Sequence, residues 1–145
     1  MVMTSPFQAS YSSVEGFTRI VSKLKQGITE QIDVWLIEYP QSDFEFHLRK
    51  FLSADENARV KRYRVKKAQN EFIFSRGLLR VLLGVYLGIT PENLCFGYSA
   101  ARKPFLKNLC GFPLFFNVSH SENLLAYSVS AMGELGVDVE YKRAL

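Results

Sequence analysis

Gly136-Val137-Asp138-Val139-Glu140 carries two carboxylates separated by one residue. In an extended segment the side-chain period of two puts Asp138 and Glu140 on one face and Val137 and Val139 on the other. Two carboxylates side by side at a strand end suit a hard cation. Mg2+ fits because it takes few carboxylates, keeps waters and completes its octahedron with phosphate oxygens. The same pattern also describes a strand with a solvated acidic face.

Three further segments offer donors to an anion. Asn117-Val118-Ser119-His120-Ser121 follows an apolar run. Val118 is expected to point inward, while Ser119, His120 and Ser121 gather at the strand end as hydroxyl and imidazole partners for a phosphate. The bland alternative is a polar turn with a partly exposed histidine. In Ala101-Arg102-Lys103-Pro104-Phe105 the proline confines Lys103 to an extended backbone, which suits a fixed phosphate contact or simply a turn. Between Arg59 and Lys67 six of nine residues are cationic, which favours an anionic partner or makes a solvated face.

These groups need elements to hold them. Ile32 to Glu38 is β-branched and aromatic and reads as a buried strand closed by Tyr39-Pro40. Ser53 with Glu56 three residues later is a capping box, so a helix is predicted to start there and run through the basic segment. From Ala68 to Leu87 apolar residues cover most of a helical circumference, predicting a central helix that ends at Gly88. Thr90-Pro91-Glu92 then opens a short turn. Strands are predicted at Leu94–Gly97, Pro113–Val118, Leu124–Val129 and Leu135–Glu140, the last two as an antiparallel hairpin. The order of one strand, then helices, then strands gives an α+β layer fold with an antiparallel sheet on a long apolar helix. The segment from Met1 to about Ile28 is rich in Ser and Thr and reads as an extension ahead of the fold.

At 145 residues and 48% hydrophobic content, one domain with one core is the expectation. The absence of an apolar run long enough for a leader or a membrane span points to a cytoplasmic protein without a membrane partner. Two cysteines and two histidines at scattered positions give no zinc-ligand spacing. Nucleic acid is not expected as a partner, because the cations are confined to one helix and the net charge is only +4.

In order along the chain, the basic helix after Ser53, Ser75-Arg76-Gly77-Leu78-Leu79-Arg80, Arg102-Lys103-Pro104-Phe105, Asn117-Val118-Ser119-His120-Ser121 and Gly136-Val137-Asp138-Val139-Glu140 resemble the surfactin-type 4'-phosphopantetheinyl transferases. The resemblance spans about Ile32 to Lys142 and covers that family's N-terminal half. It implies transfer of the 4'-phosphopantetheine arm of coenzyme A to a serine of an acyl or peptidyl carrier protein, with Mg2+ as cofactor. It also implies one half of a pseudo-dimer of two α+β halves with the active site between them. By the same resemblance Asp138 and Glu140 are metal ligands, Lys103 meets a coenzyme A phosphate, Ser119 and His120 meet the nucleotide portion, and Arg59 meets the 3'-phosphate end.

The resemblance further implies a second half bearing Trp-x-x-Lys-Glu-Ala, a motif these 145 residues do not contain. The expectation is therefore an extension over residues 1–30, an N-terminal transferase subdomain over residues 31–145, and a complementary C-terminal half as partner. Residues 31–145 alone are expected to have little activity, and no catalytic residue is assigned. The alternative is an inactive module that binds coenzyme A or a carrier protein.

Overall fold

The computed structural model describes residues 32–39, 44–107, 114–140 and 142. Among these the chain forms strand β1 (Asp33–Glu38), helices α1 (Phe44–Arg49), α2 (Ala54–Arg62) and α3 (Lys66–Leu87), and a single 3-10 turn (Pro91–Asn93). Strands β2 (Phe96–Tyr98), β3 (Pro104–Leu106), β4 (Phe115–Ser121) and β5 (Leu124–Ser130) follow. The extension expected over residues 1–30 lies outside the described residues.

The architecture is α+β with two antiparallel sheets, one ordered β1-β5-β4 and one made of β2 and β3. β5 is the central strand, and its alternate residues Leu125, Tyr127 and Val129 are all buried. Ile37 lies opposite Leu125, and Trp35 and Val118 both lie opposite Tyr127. Together with Leu78, Leu79, Leu82 and Leu83 of α3 these side chains form one core. Two polar links stitch sheet to helix: the Tyr127 hydroxyl donates to the Ser75 carbonyl at 2.7 Å, and Trp35 Nε1 donates to the Tyr86 hydroxyl at 3.1 Å.

α2 begins where the Ser53 and Glu56 pair predicts, with both halves of the capping box formed. It does not run through the basic segment. Tyr63 takes an extended conformation at its C-cap, Val65 is extended ahead of α3, and Gln69 Nε2 donates to the Tyr63 carbonyl at 2.9 Å, satisfying a backbone acceptor at the break. The cations are thus divided between α2 (Arg59, Lys61, Arg62), the link (Arg64) and the first turn of α3 (Lys66, Lys67).

α3 ends at Gly88, whose φ of 66° places it in the left-handed region and whose N–H returns to the Gly84 carbonyl. α1 has no counterpart among the sequence expectations, since six residues give too short a period to read. It packs closely on α3 because Gly77 has no side chain; a Cβ there would stand 2.7 Å from Leu48 Cβ.

Leu135–Glu140 is not a strand, and the hairpin expected between it and β5 does not form. The reason is geometric: a strand has two edges, and β5 has already given one to β1 and the other to β4. The hairpin at this end is β4–β5 instead. β2 lies two residues beyond the start of its predicted segment, and β3 begins at Pro104, inside the segment that reads as a turn. Among the described residues no helix is long and apolar enough to cross a membrane.

Candidate functional site

The segment carrying the two carboxylates is held by side chains rather than by a backbone ladder. Asn117 Oδ1 accepts the Val137 N–H at 3.0 Å and Ser119 Oγ accepts the Val139 N–H at 3.1 Å. Both contacts advance by two residues in the same sense, so residues 137–139 run parallel to β4. The period of two survives without a ladder: Val137 and Val139 are partly buried while Asp138 and Glu140 are exposed. The Ser119 hydroxyl also donates to Asp138 Oδ1 at 3.2 Å, which fixes the carboxylate that an ion would need.

Lys103 is presented by the turn between β2 and β3. Ser99 N–H donates to the Lys103 carbonyl at 2.9 Å, Arg102 N–H donates to the Ser99 carbonyl at 2.8 Å, and Lys103 N–H donates to Ser99 Oγ at 3.1 Å. Arg102 closes this turn with a φ of 61°, an uncommon conformation for a residue with a Cβ. Lys103 Nζ then reaches the Leu135 carbonyl at 3.4 Å, three residues before Asp138. Ser119 and Lys103 therefore both contact the short segment, residues 135–139, that carries Asp138.

The remaining sequence candidates are placed differently. Ser119, His120 and Ser121 do not gather beyond a strand end, because β4 continues through Ser121. Adjacent residues of a strand face opposite ways, so Ser119 turns toward Asp138 while His120, exposed and opposite Leu125, is on the other face. Arg59 is exposed on α2 with its guanidinium 4.7 Å from the centre of the Phe72 ring.

As a donor set, Asp138 and Glu140 offer oxygen only, and among the described residues no cluster of three or more His, Cys, Asp or Glu could hold a metal. Two exposed carboxylates do not make a closed cage. They fit the chemistry of Mg2+, which takes one or two carboxylates and fills its other positions with water and substrate phosphates.

Behind the surface lies a network that sequence reasoning missed. Glu56, beyond receiving the Ser53 N–H at 3.0 Å, accepts from Arg80 Nε at 2.8 Å and Nη2 at 3.1 Å and from Arg76 Nη1 at 3.2 Å. Glu56 and Arg80 are each only 2% exposed. Two guanidiniums against one carboxylate leave a net positive charge. It is relieved by the Pro91 and Leu94 carbonyls, which accept from Arg80 Nη1, and by the Phe96 ring beneath both guanidiniums. The sequence signal was present in Arg76 and Arg80, four residues apart and so on one face of an otherwise apolar helix.

The family described as 4'-phosphopantetheinyl transferase, N-terminal, matches residues 39–132. The chain is 35% identical over 118 residues to the 4'-phosphopantetheinyl transferase HetI of Nostoc sp., covering 80% of this chain and 50% of that protein. It is 37% identical over 89 residues to slr0495 of Synechocystis sp., provisionally given the same transferase name, covering 61% of this chain and 36% of that protein. The matches therefore span half or less of the length of these relatives.

Proposed function

Because this chain belongs to the 4'-phosphopantetheinyl transferase superfamily and matches the N-terminal half of that family, we propose that it supplies the coenzyme A and metal side of a two-half active site. In this reading residues 31–145 are one half of a pseudo-dimer, and a complementary C-terminal half completes it. The observation that carries the reading is that Ser119 binds Asp138 and Lys103 binds Leu135 of the same 135–139 segment.

The reaction is attack by a carrier-protein serine oxygen on the pantetheine-side phosphorus of coenzyme A. A new P–O bond forms, the pyrophosphate bond breaks, and adenosine 3',5'-bisphosphate leaves. Such a transfer asks for charge neutralisation and positioning more than for covalent chemistry from the protein. Asp138 and Glu140 would hold Mg2+, which when bound supplies positive charge at the pyrophosphate oxygens.

The chain's own side chains do the rest. Lys103, now resting on the Leu135 carbonyl, exchanges that weak acceptor for a phosphate oxygen. Ser119 keeps Asp138 in place. Arg59 provides a cation for the 3'-phosphate end, and His120 a contact to the nucleotide portion from the other face of β4. An acyl or peptidyl carrier protein is the acceptor, in the cytoplasm, and neither nucleic acid nor a membrane is required.

The test is reconstitution. The chain is mixed with a C-terminal half bearing Trp-x-x-Lys-Glu-Ala, coenzyme A, Mg2+ and an apo carrier protein, and the carrier's mass is followed. Gain of one phosphopantetheine, lost in Asp138→Ala, is the expected result; a carrier that stays apo with a folded complex overturns the reading.

A further inference from the structure

Lys103 lies in the turn of a two-stranded sheet that is separate from the main one, so something must fix where that hairpin stands. The backbone ties of the hairpin are mostly internal. Phe96 faces Leu106 and Tyr98 faces Pro104 in its register, and Ser99 closes the turn on Lys103. A short hairpin of this kind is not rigidly placed by its own hydrogen bonds.

The buried ion network meets the hairpin at Phe96, through ring contacts, and at Tyr98, through a hydrogen bond. Arg76 Nη1 donates at 2.8 Å to the hydroxyl of Tyr98, a closer contact than the 3.2 Å it makes to Glu56 with the same nitrogen. The Arg76 guanidinium also lies 5.2 Å from the centre of the Phe96 ring and 5.8 Å from that of Tyr98. Arg76 is itself held by Glu56 of α2, and the side chain is only 9% exposed. A fixed charge in the core thus grips the strand that carries the turn.

The chain of contacts from core to surface is short. Glu56 orients Arg76, Arg76 holds the Tyr98 hydroxyl, Tyr98 is joined to Ser99, and Ser99 binds the Lys103 backbone through both its N–H and its Oγ. Glu56 is also one turn before Arg59 on α2. The same carboxylate therefore sets both the helix bearing Arg59 and the hairpin bearing Lys103.

We propose that Tyr98 is a positioning residue for Lys103, transmitting the placement of the buried Arg76 guanidinium to the turn that offers the lysine to a coenzyme A phosphate. This rests on the reading of Lys103 as a phosphate contact. Its role is distinct from that of a residue that merely supports the fold, because Tyr98 is 41% exposed and its ring adds little to the core.

Two measurements on the whole chain test it. The first is amide hydrogen exchange in the free protein: Tyr98→Phe keeps the ring and removes the acceptor for Arg76, and exchange at the Lys103 and Arg102 amides is expected to quicken about tenfold while that of α3 is unchanged. The second is titration of coenzyme A with Mg2+ into the parent chain, Tyr98→Phe, Lys103→Ala and the double variant. Each single change is expected to weaken binding about fivefold, and the double variant to be no weaker than Lys103→Ala alone. Ser99→Ala, at an exposed turn position that leaves the core untouched, is expected to show the same non-additivity with Lys103→Ala.

Unchanged exchange at Lys103 in Tyr98→Phe overturns the positioning role whatever the coenzyme does. Losses that add in the double variant, or a Tyr98→Phe titration equal to the parent, overturn it while leaving Lys103 as a phosphate contact. If the parent does not bind coenzyme A, or Lys103→Ala binds as the parent does, the reading of Lys103 itself fails and the proposal falls with it.

Discussion

The Ser119 hydroxyl donates to Asp138 Oδ1 at 3.2 Å while its oxygen accepts the Val139 N–H at 3.1 Å, so one side chain fixes both a carboxylate and the backbone beside it. Removing it in Ser119→Ala deletes two hydrogen bonds worth about 1 kcal/mol each. We expect coenzyme A binding in the presence of Mg2+ to weaken about tenfold, with a loss of stability of no more than about 2 kcal/mol. Isothermal titration and a melting curve on the same sample check this, and a large loss of stability with unchanged binding would speak against the role given to Ser119.

The Glu56 carboxylate stands between Arg76 and Arg80 in the core, with both partners within 3.2 Å. Glu56→Ala leaves two buried guanidiniums without their counter-charge, and the expected loss is about 3–5 kcal/mol. Urea unfolding followed by far-UV circular dichroism measures it. A loss below about 1 kcal/mol, the size of an ordinary exposed pair, would show that the carboxylate does not carry this charge balance.

Ser53 caps α2, its Oγ accepting the Glu56 N–H while Glu56 returns to the Ser53 N–H. Ser53→Ala should cost about 1 kcal/mol. The unfolding midpoint reads it, and Ser53→Asp should recover most of it.

Burial raises the phenols of Tyr127 and Tyr86 well above their ordinary range, and for Tyr86 the nearby Asp33 carboxylate adds to the effect. In the unfolded chain these groups lose protons near pH 10 while in the folded chain they keep them. The unfolded state therefore binds fewer protons above that pH, and stability is full below about pH 10 and falls as the pH rises. Each phenol contributes a slope of about 1.4 kcal/mol per pH unit. Urea midpoints between pH 9 and 11 should show this decline, reduced by one phenol's share in Tyr127→Phe.

Much of the scaffold was legible because its causes are local. The Ser53 and Glu56 pair marked the start of α2, Gly88 marked the end of α3, and the apolar alternation of Leu124–Val129 marked β5. What failed were statements about partners. The exposure alternation around Asp138 and Glu140 was readable from spacing, yet nothing local says that β5 has no free edge and that Asn117 and Ser119 side chains take its place. The break after Arg62 was hidden because a run of cations has good helix propensity, whereas in the fold Tyr63 and Val65 are extended and the Tyr63 ring packs against Phe72. Glu56 looked fully explained by its cap, which concealed its bonds to arginines 20 and 24 residues away.

If the chain itself offers a phosphate and metal half-site, the folded protein binds coenzyme A. The decisive measurement is a titration of coenzyme A with Mg2+ into the folded protein, with Asp138→Ala and Lys103→Ala beside it. Saturable binding that weakens about tenfold in Asp138→Ala and about fivefold in Lys103→Ala is the expected outcome. A folded sample that binds no coenzyme A, or variants that bind it as the parent does, would contradict it.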